Sequence, residues 1–132
     1  MRIVFRADAS RSIGAGHVMR SSVLAEEAIS RGYECIYVGT ISEIAWLQER
    51  ILTLGFSDIV SPEDYALKNN TSDILILDSY SIPIDSPFIS IEKWKYILSI
   101  TDDHTPNYNV GANLIPSLDF RSKYSSNSVV LT

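Results

Sequence analysis

The chain has 132 residues, of which 45% are hydrophobic and 20% are charged, and this size and balance are those of one ordinary globular domain. Its net charge of −5 argues against a nucleic-acid partner, because a surface that binds a phosphate backbone is normally basic. No apolar run approaches the roughly 20 residues that cross a bilayer, which argues against a membrane partner.

Short apolar runs alternate with segments of helical periodicity along the chain. In chain order, the pattern predicts strand Arg2–Arg6, helix Gly16–Arg31, strand Cys35–Val38, helix Ser42–Leu54, strand Asp58–Val60, a brief helix opened by Pro62 over Glu63–Asn69, and strands Ile74–Leu77, Tyr96–Ile100 and Asn113–Ile115. Gly32 and Gly55 follow the two longer helical segments and predict their ends. Trp46, Leu47 and Trp94 have apolar neighbours and are predicted to lie in the core.

The run Ile74–Leu77 is apolar at every position and is followed by Asp78. A strand of this kind is buried on both faces, as in a parallel sheet covered by helices. Because strands and helices alternate, the chain is predicted to form βαβ units. We therefore expect an α/β fold with an open, doubly wound, mainly parallel sheet of the Rossmann-like kind, formed as one domain over residues 1–132.

Polar residues follow three of the predicted strands. These are the stretch from Asp8 to His17, the stretch from Asp78 to Tyr80, and the stretch from Asp102 to His104. In open parallel sheets, ligands bind outside the carboxyl ends of the strands. The sequence therefore predicts that these side chains, although far apart along the chain, meet at one edge of the sheet and form a binding site.

Two glycines, Gly14 and Gly16, stand just before the first predicted helix. They allow backbone N–H groups to approach a ligand, and the start of a helix adds a partial positive charge suited to a phosphate or an oxyanion. The segment is not the dinucleotide fingerprint, because its third glycine would fall at Met19 and the second strand ends at Val38 and Gly39 without an acid for a ribose. The sequence therefore predicts no nicotinamide or flavin, and no other cofactor.

His17 stands in the first turn of that helix, beside the predicted binding edge. A neutral imidazole in this position can accept a proton and serve as a general base. The alternative is that His17 only caps or packs the helix start, which is the commoner role of an isolated histidine. The two neighbouring glycines and the expected position at the sheet edge favour the catalytic interpretation.

At this point the motifs carry a family resemblance. Phe5-Arg6-Ala7-Asp8 followed by Ile13-Gly14-Ala15-Gly16-His17-Val18-Met19-Arg20 resembles the opening of the UDP-sugar hydrolases of the pseudaminic acid pathway and of the related spore-coat polysaccharide biosynthesis proteins. Leu77-Asp78-Ser79-Tyr80 and Thr101-Asp102-Asp103 resemble the later motifs of the same family, in the same order. The resemblance covers essentially the whole chain, as the amino-terminal domain of the family.

The resemblance implies a two-domain enzyme of the GT-B kind, whose carboxyl-terminal, nucleotide-binding domain is absent from this chain. It implies hydrolysis of UDP-2,4-diacetamido-2,4,6-trideoxy-β-L-altropyranose at the anomeric C–O bond, with inversion, without a metal, and with release of UDP and the free sugar. In this family pattern His17 activates the attacking water, Tyr80 lines the sugar site, and Gly14 and Gly16 shape the loop that meets the substrate. Ser79 stands where the pseudaminic acid enzymes carry histidine, which leaves the exact sugar open.

Further polar side chains are candidates for substrate contacts. Arg6, at the end of the first strand, is the preferred partner of a phosphate, and Asp8 belongs to the same motif. Arg20 either neutralises phosphate charge or lies on an exposed helix face with its stem packed down. Asp102 or Asp103 is expected to orient His17 or to hold a sugar hydroxyl, and Asp103 is the preferred candidate for a substrate contact.

The acids that follow the strands also permit a metal-site interpretation. Asp78, Asp102, Asp103 and His104 carry the oxygen and imidazole ligands that metals use. Acids in such positions also commonly end strands and cap helices, and adjacent acids point in different directions. The sequence favours this structural interpretation and predicts no metal.

Three kinds of function fit these observations. The leading one is a nucleotide-sugar hydrolase, the second is a glycosyltransferase that moves the sugar to an acceptor, and the third is a non-catalytic nucleotide-sugar binding domain. The single cysteine, Cys35, and a first segment too short and too charged for a secretory signal predict a cytoplasmic location. The apolar, β-prone run Val129–Thr132 predicts that further structure follows it.

Overall fold

Seven strands that pair in parallel form the sheet of the protein. The computed structural model describes residues 2–68, 74–83, 85–89, 93–100, 112–115 and 128–130. The strands are β1 (Arg2–Ala7), β2 (Glu34–Val38), β3 (Asp58–Val60), β4 (Ile74–Asp78), β5 (Tyr96–Ile100), β6 (Ala112–Ile115) and β7 (Ser128–Val130). The helices are α1 (Gly16–Ser30), α2 (Ala45–Thr53) and α3 (Pro62–Lys68), with a short 3-10 helix at Pro87–Ile89.

The strand order is β3-β2-β1-β4-β5-β6-β7, and every adjacent pair runs parallel. The chain therefore moves outward in one direction from β1 through β2 to β3, and in the other direction from β4 onward. This confirms the predicted α/β fold with a parallel sheet in a Rossmann-like order. This strand order also creates a switch point between β1 and β4, and ligands bind at such a point in folds of this kind.

Both faces of the central strands are buried, as the continuous apolar runs predict. Val4 and Phe5 are adjacent on β1, so they point to opposite faces, and both are fully buried. Phe5 packs with Ala25 of α1 in one core cluster, whereas Val4 packs with Leu75 and Leu77 of β4 in another. The sheet is thus enclosed on both sides around its centre, which holds the carboxyl ends of β1 and β4 in fixed positions.

The second helix differs from its prediction. Glu43 has a φ of 64° and Ile44 a φ of −127°, so α2 begins at Ala45 rather than at Ser42. Leu47 and Ile51 lie four residues apart and are buried, whereas Trp46 is turned away from that face and is 58% exposed. Trp94 is buried as predicted. The core prediction is therefore correct for Leu47 and Trp94 and wrong for Trp46.

Within the described part of the chain, no helix is long and apolar enough to cross a membrane.

The strand β7 falls on the apolar run near the end of the chain and pairs with β6 through Asn113 to Ile115. It was not expected as a separate element, because three β-prone residues without flanking turn residues are a weak strand signal.

Candidate active site

The loop between β1 and α1 is fixed by the neighbouring loop after β2. Asp8 Oδ1 accepts a hydrogen bond of 2.9 Å from the backbone N–H of Thr40, and the N–H of Ala9 donates to the carbonyl of Thr40 at 2.9 Å. Gly14 then closes a turn by donating its N–H to the carbonyl of Ser10 at 2.7 Å. Its φ of +87° lies in the region that favours glycine. These contacts bring the start of α1 to the carboxyl end of β1.

His17 and Asp78 meet at the switch point of the sheet. His17 is the second residue of α1 and Asp78 is the last residue of β4. The Nδ1 atom of His17 is hydrogen-bonded to Oδ1 of Asp78, and both side chains are buried, Asp78 completely. Residues 61 positions apart in sequence are thus in direct contact, as the expected convergence at the sheet edge requires.

Arg20 binds the same carboxylate through both of its oxygens. Its Nε donates to Oδ2 of Asp78 at 2.9 Å, and its Nη2 donates to Oδ1 at 2.7 Å. Asp78 raises the pKa of Arg20 through this hydrogen bonding and its negative charge, and Tyr80 adds to the effect. Arg20 follows His17 by three residues, so one face of α1 carries both groups. The buried carboxylate of Asp78 is therefore paired with a cation, which is what makes its burial tolerable.

Tyr80 stands at the mouth of the site. Its ring lies edge-to-face with the His17 ring, with centroids 4.2 Å apart and planes at 81°. Its side chain is 40% exposed, so it is within reach of a ligand as well as of His17. Tyr80 therefore holds one side of the imidazole by ring contact, an interaction typical of aromatic pairs.

These residues line a cavity of about 400 Å³ at the carboxyl ends of β1 and β4. Its walls are Asp8, Ser12 and Ile13 of the first loop, His17 of α1, Asp78 at the end of β4, and residues 79–81 after that strand. A volume of this order falls within the range of small-molecule sites. The cavity therefore brings together His17, Asp8 and Tyr80 from the set of predicted site residues.

Arg6 is paired with Asp8 and lies at a cavity next to that of His17, so its role as a phosphate partner stays a prediction. It is 8% exposed, its Nη1 donates to Oδ1 of Asp8 at 2.7 Å, and its guanidinium lies 5.8 Å from the centre of the Phe88 ring. Arg6 lines a neighbouring cavity of about 370 Å³, which shares Ser81 with the cavity of His17. Of this pair, Asp8 lines the cavity of His17 and Arg6 does not.

The two glycines of the motif leave open space beside the site. A Cβ added at Gly14 or at Gly16 would have no heavy atom within 4 Å. Packing within the described part of the chain therefore does not require glycine at either position. Gly14 is required by its backbone conformation, and Gly16 leaves the first turn of α1 accessible from outside.

Ser79 follows Asp78 and is only 4% exposed. Its hydroxyl accepts a hydrogen bond of 3.1 Å from the backbone N–H of Ser81, which bends the chain after β4 toward the cavity. The residue that departs from the family pattern is thus part of the wall of the site. Its small side chain leaves more room there than a histidine would.

Asp103, with Asp102 and His104, lies outside the described residues. Within the part of the chain that the structure describes, no three metal-binding side chains of the His, Cys, Asp and Glu types lie together. The sequence predicts Asp102 or Asp103 as a partner for His17, and it favours a strand-end acid at Asp78 and a phosphate or surface residue at Arg20. The signal that could have identified them is the spacing of His17 and Arg20 on one helix face opposite an acid at the end of a buried strand.

Comparison with known proteins gives one distant similarity. A Campylobacter jejuni protein named UDP-2,4-diacetamido-2,4,6-trideoxy-beta-L-altropyranose hydrolase is 28% identical over 111 residues. The aligned region covers 82% of this chain and 39% of the relative, so the chain spans well under half the length of the protein that it matches. No family model matches the chain, and no solved structure gives a significant match.

Proposed function

We propose that this chain forms the sugar-binding part of an enzyme that hydrolyses a UDP-activated diacetamido-trideoxy sugar. The observation that carries the proposal is the histidine in the cavity, whose Nδ1 is held by a buried carboxylate. Within the described part of the chain, the other ring nitrogen, Nε2, makes no hydrogen bond. The distant similarity to a UDP-sugar hydrolase supports the choice of substrate class. Asp8, His17 and Tyr80, which belong to the motifs that carry the family resemblance, line this cavity.

The charges around the cavity favour the sugar rather than the diphosphate as its occupant. Asp8 presents a carboxylate, and the cation of Arg20 is already engaged by Asp78. The described residues that line this cavity include no arginine or lysine to hold a phosphate, whereas the carboxylate of Asp8 can accept hydrogen bonds from sugar hydroxyls and acetamido N–H groups. In this proposal, the nucleotide is held mainly by a second domain of the GT-B kind.

The chemistry follows from a base positioned beside the anomeric carbon. A water molecule gives one proton to Nε2 of His17 while its oxygen attacks the anomeric carbon. The bond between that carbon and the leaving oxygen breaks, and UDP departs with the electron pair. Attack from the face opposite the leaving group inverts the anomeric configuration. The reaction requires no cofactor and no metal.

The products test this proposal. The complete enzyme, incubated with the UDP-sugar and no acceptor, should release UDP and free sugar in equal amounts. In ¹⁸O-labelled water the released UDP should carry no label, because the C–O bond of the sugar is the bond that breaks. Label in UDP would contradict attack at carbon, and absence of free sugar would contradict hydrolysis.

A glycosyltransferase is the second candidate, and the neighbouring cavity favours it. That cavity shares Ser81 with the cavity of His17 and is large enough for part of an acceptor. The same base would then take the proton of an acceptor hydroxyl instead of a water proton. Sugar transfer that requires an added acceptor, with no free sugar in its absence, would favour this candidate. A non-catalytic binding domain would give neither product.

The 132-residue chain by itself is proposed to bind UDP weakly and to be inactive. Without a second domain the substrate lacks nucleotide anchoring and the site is open to water. Calorimetric titration with UDP, beside an assay for UDP release, measures both properties. Micromolar binding or steady turnover by the chain alone would contradict the division of roles between two domains.

A further inference from the structure

Two charged side chains, one buried and one partly exposed, take no direct part in the proposed reaction, and both contact His17. Asp78 is fully buried at the end of β4, and Arg20 reaches it from α1. Neither has to touch a substrate for its arrangement to matter. Their contacts instead determine which nitrogen of the His17 ring carries the proton and where the ring points.

Oδ1 of Asp78 is the shared point of this cluster. It accepts from Nη2 of Arg20 at 2.7 Å and is also the hydrogen-bond partner of Nδ1 of His17. Nη2 of Arg20 and Nδ1 of His17 lie 3.2 Å apart. We interpret both as donors to the same acceptor, Oδ1 of Asp78. If Nδ1 were unprotonated, it would face an anionic oxygen without a proton between them, which is repulsive.

We propose that Asp78 and Arg20 are positioning residues that hold His17 in the Nδ1–H tautomer, with Nε2 free toward the cavity. Asp78 accepts the Nδ1 proton. Arg20 acts through Asp78. The two N–H donors of Arg20 fix the plane of the carboxylate, and the positive charge of the guanidinium offsets the negative charge of the buried carboxylate. The catalytic consequence of this inference rests on the proposed function, whereas the tautomer itself does not.

The burial of Asp78 explains why its carboxylate needs Arg20 as a partner in addition to His17. A completely buried carboxylate without a cation is costly and tends to take up a proton or to admit water. Either change would loosen its hold on the imidazole. Arg20 is partly exposed, with 35% of its side chain accessible, so its removal is less disruptive to folding than removal of Asp78.

The direct test is nitrogen NMR of the imidazole rings in the ¹⁵N-labelled chain, which contains only two histidines. His17→Asn identifies the signals of His17. At a pH where the ring is neutral, Nδ1 should have the chemical shift of a protonated nitrogen and Nε2 that of an unprotonated one. In Asp78→Asn the population should move toward the Nε2–H form. A parent protein with the Nε2–H form, or an unchanged tautomer in folded Asp78→Asn, would overturn the assignment.

Kinetics of the complete enzyme test the role of Arg20. In Arg20→Gln, kcat should fall on the order of ten- to a hundredfold with little change in KM, because the base is misaligned while the sugar contacts remain. Arg20→Lys should recover part of kcat, since it restores the charge but not the two-point contact.

Arg50 provides a matched control, because it is also partly buried and bonded to side chains of α1, Ser22 and Glu26, but does not line the cavity. Arg50→Gln should leave kcat unchanged. Equal kcat in Arg20→Gln and Arg50→Gln would overturn the role of Arg20. Failure of hydrolysis in the parent enzyme, with the Nδ1–H tautomer observed, would contradict the proposed function and leave the positioning of His17 standing.

Discussion

Arg20 holds both carboxylate oxygens of Asp78, from a position 58 residues earlier in the chain. The pair joins the first turns of α1 to the end of β4, beside the switch point between β1 and β4. His17 is attached to the same carboxylate, so helix, strand and candidate base form one unit. Positioning of His17 would therefore account for a charged cluster beside a sheet whose core is otherwise largely apolar.

Tyr80→Phe should reduce kcat/KM with little effect on stability. The ring contact with His17 is retained, whereas the hydroxyl, which is proposed to form a hydrogen bond with the sugar, is lost. Loss of one such hydrogen bond corresponds to about 1 kcal/mol, or roughly a fivefold fall in kcat/KM. Steady-state kinetics and the melting temperature measure the two effects.

Tyr96→Phe is the control for Tyr80→Phe, because Tyr96 is 61% exposed and lies at the opposite, amino-terminal end of its strand. Tyr96→Phe should change neither kcat/KM nor the melting temperature. A large fall in the melting temperature of Tyr80→Phe with unchanged kinetics would show that the hydroxyl of Tyr80 serves the fold rather than the substrate.

Gly14→Ala and Gly16→Ala should separate backbone strain from ligand access. Gly14 has a positive φ, so alanine there should lower the free energy of unfolding by about 1 to 2 kcal/mol. Gly16 is in the first turn of α1 with open space around it, so alanine there should leave stability equal or higher. Urea denaturation measures both changes.

Activity distinguishes the same two variants further. If a ligand approaches the helix start closely, Gly16→Ala should raise KM although the protein is fully folded. A Gly16→Ala enzyme with the parent KM would show that this glycine does not meet the substrate. A Gly14→Ala protein with unchanged stability would contradict the assigned backbone conformation.

The parallel sheet could be predicted from the sequence because its strands are short, continuous apolar runs such as Ile74–Leu77 separated by helical segments. The place of His17 could also be predicted, since helix starts and strand ends meet at one edge in this fold. The bond between His17 and Asp78 was not predicted, because apolar periodicity alone does not show that β4 lies beside β1 and acids are common at the ends of strands. Trp46 was misplaced because apolar residues near a helix do not show which face is buried.

Activity should survive chelation. The candidate base takes its proton without help from a cation, and no three metal-binding side chains cluster in the described part of the chain. UDP release by the complete enzyme in the presence of excess EDTA should equal that without EDTA. Complete loss that one divalent ion restores would favour the metal interpretation of the acids after the strands.

The most direct measurement is the rate of UDP release by His17→Asn in the complete enzyme. Asparagine keeps a polar group beside Asp78 but cannot serve as the base. We expect kcat to fall on the order of a hundred- to ten-thousand-fold, with a melting temperature near that of the parent. A folded His17→Asn enzyme with a kcat within roughly threefold of the parent would contradict the assignment of His17 as the catalytic base.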